Sequence, residues 1–164
     1  MKTKLLFICL GNICRSPAAE GIMRAKVEER WLDDDFFIDS AGIGSWHVGE
    51  LPDRRMRKHA ARRGYDLTMR ARQFRSEDFD KFDYIVVMDE ENYRDVIERM
   101  PYTQNEDDRE RYRKKVLRMK DYFVKSKGYS SVPDPYYGGD DDFELALDLI
   151  EDGCDGLLTH LVPL

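Results

Sequence analysis

Long apolar runs are the first thing this 164-residue chain lacks. The run that follows Lys2 and Lys4, Leu5 to Leu10, closes at Gly11 and Asn12. That is far short of the roughly 20 apolar residues of a membrane-spanning helix, and its flanks are not those of a signal peptide. No membrane association and a cytoplasmic location are the expectation. Cysteine is scarce too: Cys9, Cys14 and Cys154 make an odd count, which gives no secreted disulfide framework. The three histidines, His47, His59 and His160, stand at no ligand spacing from a cysteine, so no metal site is expected. Repeats, linkers and low-complexity tracts are missing, and one domain over residues 1–164 is expected. Positive charge is short overall, with a formal net charge of −6, which argues against general nucleic-acid binding. The shortage is local. Residues 1–75 carry 15 Lys/Arg against 10 Asp/Glu, and residues 76–164 carry 12 against 23. The basic first half suits an anionic ligand such as phosphate.

What is present alternates between strand and helix patterns. Residues 4–9 read as a strand buried on both faces. Ser16 and Pro17 are a helix start, with Ser16 as the cap, and the helix runs to about Trp31. Its Ala18, Ala19, Ile22, Met23, Val27 and Trp31 fall on or near one face. Residues 36–41 are a second strand, and residues 42–52 a glycine-rich loop with Trp46 and His47. Asp53 caps a helix to about Arg63 that Gly64 stops. After a short polar segment from Ser76, residues 83–88 form a third strand. Residues 89–100 are helical, 105–114 a charged loop or surface helix, and 116–119 a fourth strand. Residues 130–139 form a loop around Pro133 and Pro135. Residues 140–160 are an amphipathic helix with Phe143, Leu147, Ile150, Cys154, Leu157 and Leu161 at helical spacing. The alternation predicts an α/β fold, a parallel sheet with helices on both faces, whose ligands bind beyond the carboxyl ends of the strands.

One such end carries Cys9-Leu10-Gly11-Asn12-Ile13-Cys14-Arg15-Ser16. Successive backbone N–H groups between a strand and a helix N-terminus form a cradle for an anion. Gly11 lets the backbone turn and approach the ligand. Cys9 lies at the mouth of the cradle, where the same field favours its thiolate, a good nucleophile toward phosphorus. The planar fork of Arg15 suits two phosphate oxygens, and Ser16 is placed to hydrogen-bond the Cys9 sulfur. The leaving oxygen needs a proton. Asp134, between Pro133 and Pro135, is the candidate general acid, and its carboxylate would then activate water.

The motif CLGNICRSP at 9–17 resembles the phosphate-binding loop of the low-molecular-weight protein tyrosine phosphatases. The likeness continues at Asp39-Ser40-Ala41-Gly42, Trp46-His47-Val48-Gly49, Met88-Asp89 with Asn92, and Asp134-Pro135-Tyr136-Tyr137-Gly138. The resemblance implies a four-stranded parallel sheet with the phosphate loop between strand 1 and helix 1. It implies a phosphocysteine intermediate on Cys9, with Arg15 binding phosphate and Asp134 as general acid and base. It implies that Leu10, Gly11, Asn12, Ile13, Cys14 and Ser16 surround the phosphate. Asn12 and Ser40 would hold the loop in a hydrogen-bond network supported by His59. Trp46, Tyr136 and Tyr137 would line the cleft for an aromatic ring. Substrates would be phosphotyrosine proteins or small aryl phosphates, with inorganic phosphate as product and inhibitor. No metal or cofactor is implied, and a monomer is expected. The resemblance also implies a reversible Cys9–Cys14 disulfide and phosphorylation of Tyr136 or Tyr137 as regulatory devices.

Three other readings stand beside this one. Thioredoxin-linked arsenate reductases use a similar loop but need a relay cysteine, and none lies between Cys14 and Cys154. A phosphotyrosine-binding module without turnover would have lost the nucleophile or the acid, and both are here. In the resembling family, a small residue in the loop favours phosphoarginine in some members. The bulky Ile13 favours phosphotyrosine.

Overall fold

In the computed structural model, which describes residues 1–162, four strands form one parallel sheet in the order β2-β1-β3-β4. They are β1 (Thr3–Cys9), β2 (Phe36–Gly42), β3 (Tyr84–Val87) and β4 (Val116–Arg118). The helices are α1 (Arg15–Glu29), α2 (Arg54–Arg62), α3 (Asp78–Lys81), α4 (Glu90–Glu98), α5 (Glu106–Lys115) and α6 (Asp140–Leu161). The last two positions of the expected 1–164 domain lie outside the described residues.

The strand pattern explains the layering. Leu5 to Ile8 of β1 are fully buried and alternate between two cores. Leu5 and Phe7 join a core with α1, α2 and α6, while Leu6 and Ile8 join the opposite one with Phe79, Val96 and Tyr112 of α3, α4 and α5. Each such side chain contributes about 1.5–3 kcal/mol by leaving water, so β1 is the axis of the fold. The chain runs from β1 to β2 on one side and then to β3 on the other. The end of β1 is therefore the topological switch point, where ligands of such sheets bind.

Asp53 caps α2 as expected, accepting from the N–H groups of Arg55 (2.8 Å) and Met56 (3.3 Å). The charged stretch forms the surface helix α5, capped by Asn105. The fourth strand covers only Val116–Arg118. Cys154 is fully buried on the core face of α6.

Two expectations for the first helix fail. Ser16 is not its cap: the helix begins at Arg15, no side chain caps it, and the Ser16 hydroxyl turns inward to Cys9 and Asn12. Trp31 does not share the buried face. The helix ends at Glu29, and Trp31 takes a left-handed φ of 59° that swings its ring outward to 89% exposure.

Candidate active site

The loop from Cys9 to Arg15 crosses the carboxyl ends of β1 and β2. Its carbonyls face outward to protein donors: Cys9 O accepts from Ile43 N (3.0 Å), Leu10 O from Gly44 N (2.9 Å) and Ile13 O from Asp53 N (2.7 Å). Its N–H groups do the reverse. Those of residues 10–14 donate to no group of the described residues. With the N-terminus of α1 behind them, they form an anion cradle.

The expected turn at Gly11 falls instead at Asn12, which takes φ 57°. Asparagine tolerates this left-handed region better than most residues, and here its side chain repays the strain. Asn12 Nδ2 donates to Ser16 Oγ (2.8 Å) and Ser40 Oγ (3.0 Å), and its Oδ1 accepts from Arg72 N (3.0 Å). Ser40 in turn donates to Glu20 (2.6 Å). Burial raises the Glu20 pKa, opposed by the Ser40 hydrogen bond and by Arg24. His59, expected to support this network, is elsewhere. It stacks on Phe143 and bridges Glu144 (2.5 Å) and Asp140 (3.0 Å), joining α2 to α6.

Gly42 matters by its lack of a side chain. It pairs with Cys9 in the β1–β2 register, and a Cβ there would lie 2.8 Å from Gly11 C and 2.9 Å from Asn12 N. Both are backbone atoms of the cradle, so Gly42→Ala should displace the loop. Overpacking of this kind costs about 1–3 kcal/mol. We expect a lowered urea midpoint and a larger proportional loss of catalytic activity. An unchanged kcat/KM would show that the loop tolerates the shift.

The nucleophile candidate, Cys9, is nearly buried at the base of the loop, its Sγ 3.0 Å from Ser16 Oγ. Cys14, five residues on, is buried as well. Burial, then Asp53, Cys9 and Asp134, push its thiol far above the ordinary range, against a smaller opposing effect of Arg55. It is thus a poor thiolate. Both cysteines are free thiols.

Arg15 is almost wholly buried, and its guanidinium is held from one side. Nη1 donates to Asp89 Oδ2 (2.7 Å) and to the Val132 carbonyl (3.0 Å), while Nη2 lies 3.5 Å from Asp134 Oδ2. Burial disfavours its charge, but Cys9, Asp89 and Asp134 outweigh this and raise its pKa. Its Nε is buried and has no hydrogen-bond partner among the described residues. Asp89 also caps α4 by accepting from Asn92 N (2.8 Å). Asp89, Val132 and Glu20 had no expected role. An aspartate at the carboxyl end of β3 was the available signal for the first.

Above the loop opens a cleft of about 390 Å³ lined by Leu10, Gly11, Ile13, Cys14, Trp46, His47, Asp134, Tyr136 and Tyr137. Trp46 and Tyr137 are exposed, and Tyr136 meets Tyr137 edge to face at 4.9 Å. Asp134 Oδ1 accepts from Tyr136 N (3.1 Å), which fixes the carboxyl beside the aromatic wall. Apart from His59, the residues expected at the site lie on the loop, in its network or in this cleft. Ser40 belongs to the network beneath the loop rather than to the cleft.

Such a cradle and cleft at the switch point of a parallel α/β sheet define a phosphate-binding class of α/β protein. The comparisons make the class specific. A profile of the low molecular weight phosphotyrosine protein phosphatases matches residues 4–162, and the chain belongs to that family. It is 51% identical over 158 residues to the Synechocystis sp. protein slr0328, named for the same family, across 96% of each chain. The crystal structure of a protein tyrosine phosphatase from Entamoeba histolytica, with Hepes in its active site, superposes with a TM-score of 0.90. It shares 42% identity over 98% of this chain and 97% of that one. The Drosophila arginine phosphatase DARP superposes at a TM-score of 0.82 with 31% identity, covering 98% of both chains.

Proposed function

We propose that this protein hydrolyses phosphotyrosine monoesters through a phosphocysteine intermediate on Cys9. The observation that carries the reading is the Arg15 side chain. One edge is fixed by Asp89 and Val132, while its buried Nε is unpartnered beside a loop of undonated N–H groups. A tetrahedral dianion satisfies all of these donors together, and they remain in place as charge spreads over the oxygens of the transition state.

In the first step the Cys9 thiolate attacks phosphorus. The S–P bond forms as the P–O bond to the tyrosyl oxygen breaks, and Asp134 gives that oxygen its proton. In the second, Asp134 takes a proton from water as the water oxygen attacks phosphorus. The S–P bond breaks, returning thiolate and releasing inorganic phosphate. Inorganic phosphate also fits the free cradle, as a product inhibitor would. When Cys9 reacts as a thiolate, the Ser16 hydroxyl 3.0 Å away can donate to the sulfur. The Cys9 and Cys14 thiols are free and share one loop; a peroxide that oxidised Cys9 to the sulfenic acid would let the Cys14 sulfur form the S–S bond with loss of water, and an external thiol would reduce it again.

The aromatic walls, Trp46 and Tyr136 foremost, suit a phenyl ring. Phosphoarginine is the second reading, favoured by the likeness to the Drosophila arginine phosphatase. Ile13 argues against it, because its apolar side chain lines the cleft where a guanidinium would pass. A turnover screen of phosphotyrosine, phosphoserine and phosphoarginine peptides decides. We expect phosphotyrosine peptides to give the highest kcat/KM. Faster release of phosphate from phosphoarginine would replace the first reading by the second.

A further inference from the structure

Beside the catalytic cleft lies a second groove that the phosphate chemistry does not use. The two share Ile13, His47 and Tyr136, so they are continuous across one ridge of side chains. The second groove is lined by Arg54 and Arg57 of α2 and by Arg70. Two of these guanidiniums are held by backbone carbonyls, Arg57 Nε to Pro52 (3.0 Å) and Arg70 Nη1 to Gly49 (3.1 Å).

The charge balance there is one-sided. Glu50 and Asp53 also line the groove. Glu50, however, faces His47 Nδ1 at 3.1 Å, and Asp53 is occupied by the Arg55 side chain and by the N–H groups that open α2. None of Arg54, Arg57 and Arg70 forms an ion pair with a carboxylate of the described residues, whereas their neighbours Arg55, Arg63 and Arg72 all do. The three guanidiniums therefore outnumber the one lining carboxylate, Glu50, that no arginine or lysine holds, and the groove opens onto the cleft.

We infer that this groove is a specificity subsite for aspartate or glutamate side chains flanking the phosphotyrosine of a protein substrate. The inference rests on the phosphotyrosine reading above and deepens it. A phosphotyrosine in the cleft carries its own chain past Ile13, His47 and Tyr136, and residues next to it enter the groove. Arginine forks match carboxylates in geometry as well as in sign. Exposed charges of this kind act mainly on encounter and selectivity, and salt weakens them. Their effect should appear in kcat/KM for acidic peptides and be absent with free phosphotyrosine.

The test compares phosphotyrosine peptides flanked by Asp/Glu with the same peptides carrying Asn/Gln, with free phosphotyrosine as the reference. For the unmodified protein we expect kcat/KM roughly three- to tenfold higher on the acidic peptide. Added sodium chloride should erode that advantage. The triple variant Arg54→Gln, Arg57→Gln, Arg70→Gln should abolish it while turning over free phosphotyrosine at the original rate. If the triple variant loses free-phosphotyrosine turnover through misfolding, Arg54→Gln carries the test, because the Arg54 side chain holds no part of the backbone. It should lower the advantage about twofold, and Arg54→Lys should restore it. Equal rates on both peptides, or an advantage that survives removal of the charges, overturns the subsite. A protein that leaves free phosphotyrosine intact overturns the phosphotyrosine reading itself, and the subsite with it.

Discussion

Cys9→Ser should abolish the hydrolysis of aryl phosphates, with a loss on the order of 10⁴–10⁶ in kcat, the scale seen when a catalytic nucleophile is removed. The substitution is nearly isosteric at a site of 3% exposure, so the fold and the cradle should survive it. What it removes is the ability to ionise. A thiol with an ordinary pKa near 8.5 can be brought to thiolate by a helix N-terminus and a neighbouring cation. A hydroxyl ionises far less readily, and the same field is too weak to make it a nucleophile. Arg15 and the loop N–H groups would still receive phosphate, so inorganic phosphate should bind the variant. Two measurements check this: steady-state release of p-nitrophenol, and acid-quench trapping of labelled phosphoenzyme, which only the unmodified protein should form. Wild-type turnover by the variant would refute the covalent mechanism. The raised Cys14 thiol explains why the neighbouring sulfur should not substitute for the lost one.

The parts of this site that could be read from the chain are those whose causes are local. The strand at 4–9 announced itself by a continuous apolar run. The cradle followed from a strand end, a Gly-Asn break and a helix start within nine residues. Asp53 capped α2 where its position before the helix said it would. Contacts between distant segments were not legible in the same way. Arg15 is fixed by Asp89 and Val132, 74 and 117 residues away. Which carboxylate reaches it depends on β3 lying beside β1, and no spacing in the sequence states that register. Ser16 shows how a local rule yields to a tertiary one. A serine before proline is a good helix cap, yet here its hydroxyl is better used between Cys9 and Asn12, and the free N–H groups of the helix start are left for an anion. Trp31 fails for the opposite reason. Helical periodicity placed it inward, but the helix stops two residues earlier and periodicity has no meaning past its end.

Asp134→Ala should lower kcat for phosphotyrosine by about 10²–10⁴, the usual worth of a positioned general acid, while KM changes little. The carboxyl is placed by the Tyr136 N–H on the lining of the cleft, 3.5 Å from Arg15 Nη2. In the proposed mechanism it serves the leaving oxygen, and as a carboxylate it donates nothing to the phosphate, so its removal takes away no phosphate donor. The loss should depend on the leaving group. A tyrosyl oxygen departs poorly as an anion and needs the proton, whereas a nitrophenolate leaves without it. The first step on p-nitrophenyl phosphate should therefore be far less impaired than on phosphotyrosine. The second step still lacks the base that activates water, so phosphocysteine should accumulate. Rapid mixing of the variant with p-nitrophenyl phosphate should then show a burst of one nitrophenolate per site followed by slow turnover. Equal impairment on both substrates, with no burst, would remove Asp134 from the proton path and leave it as a partner of Arg15 alone.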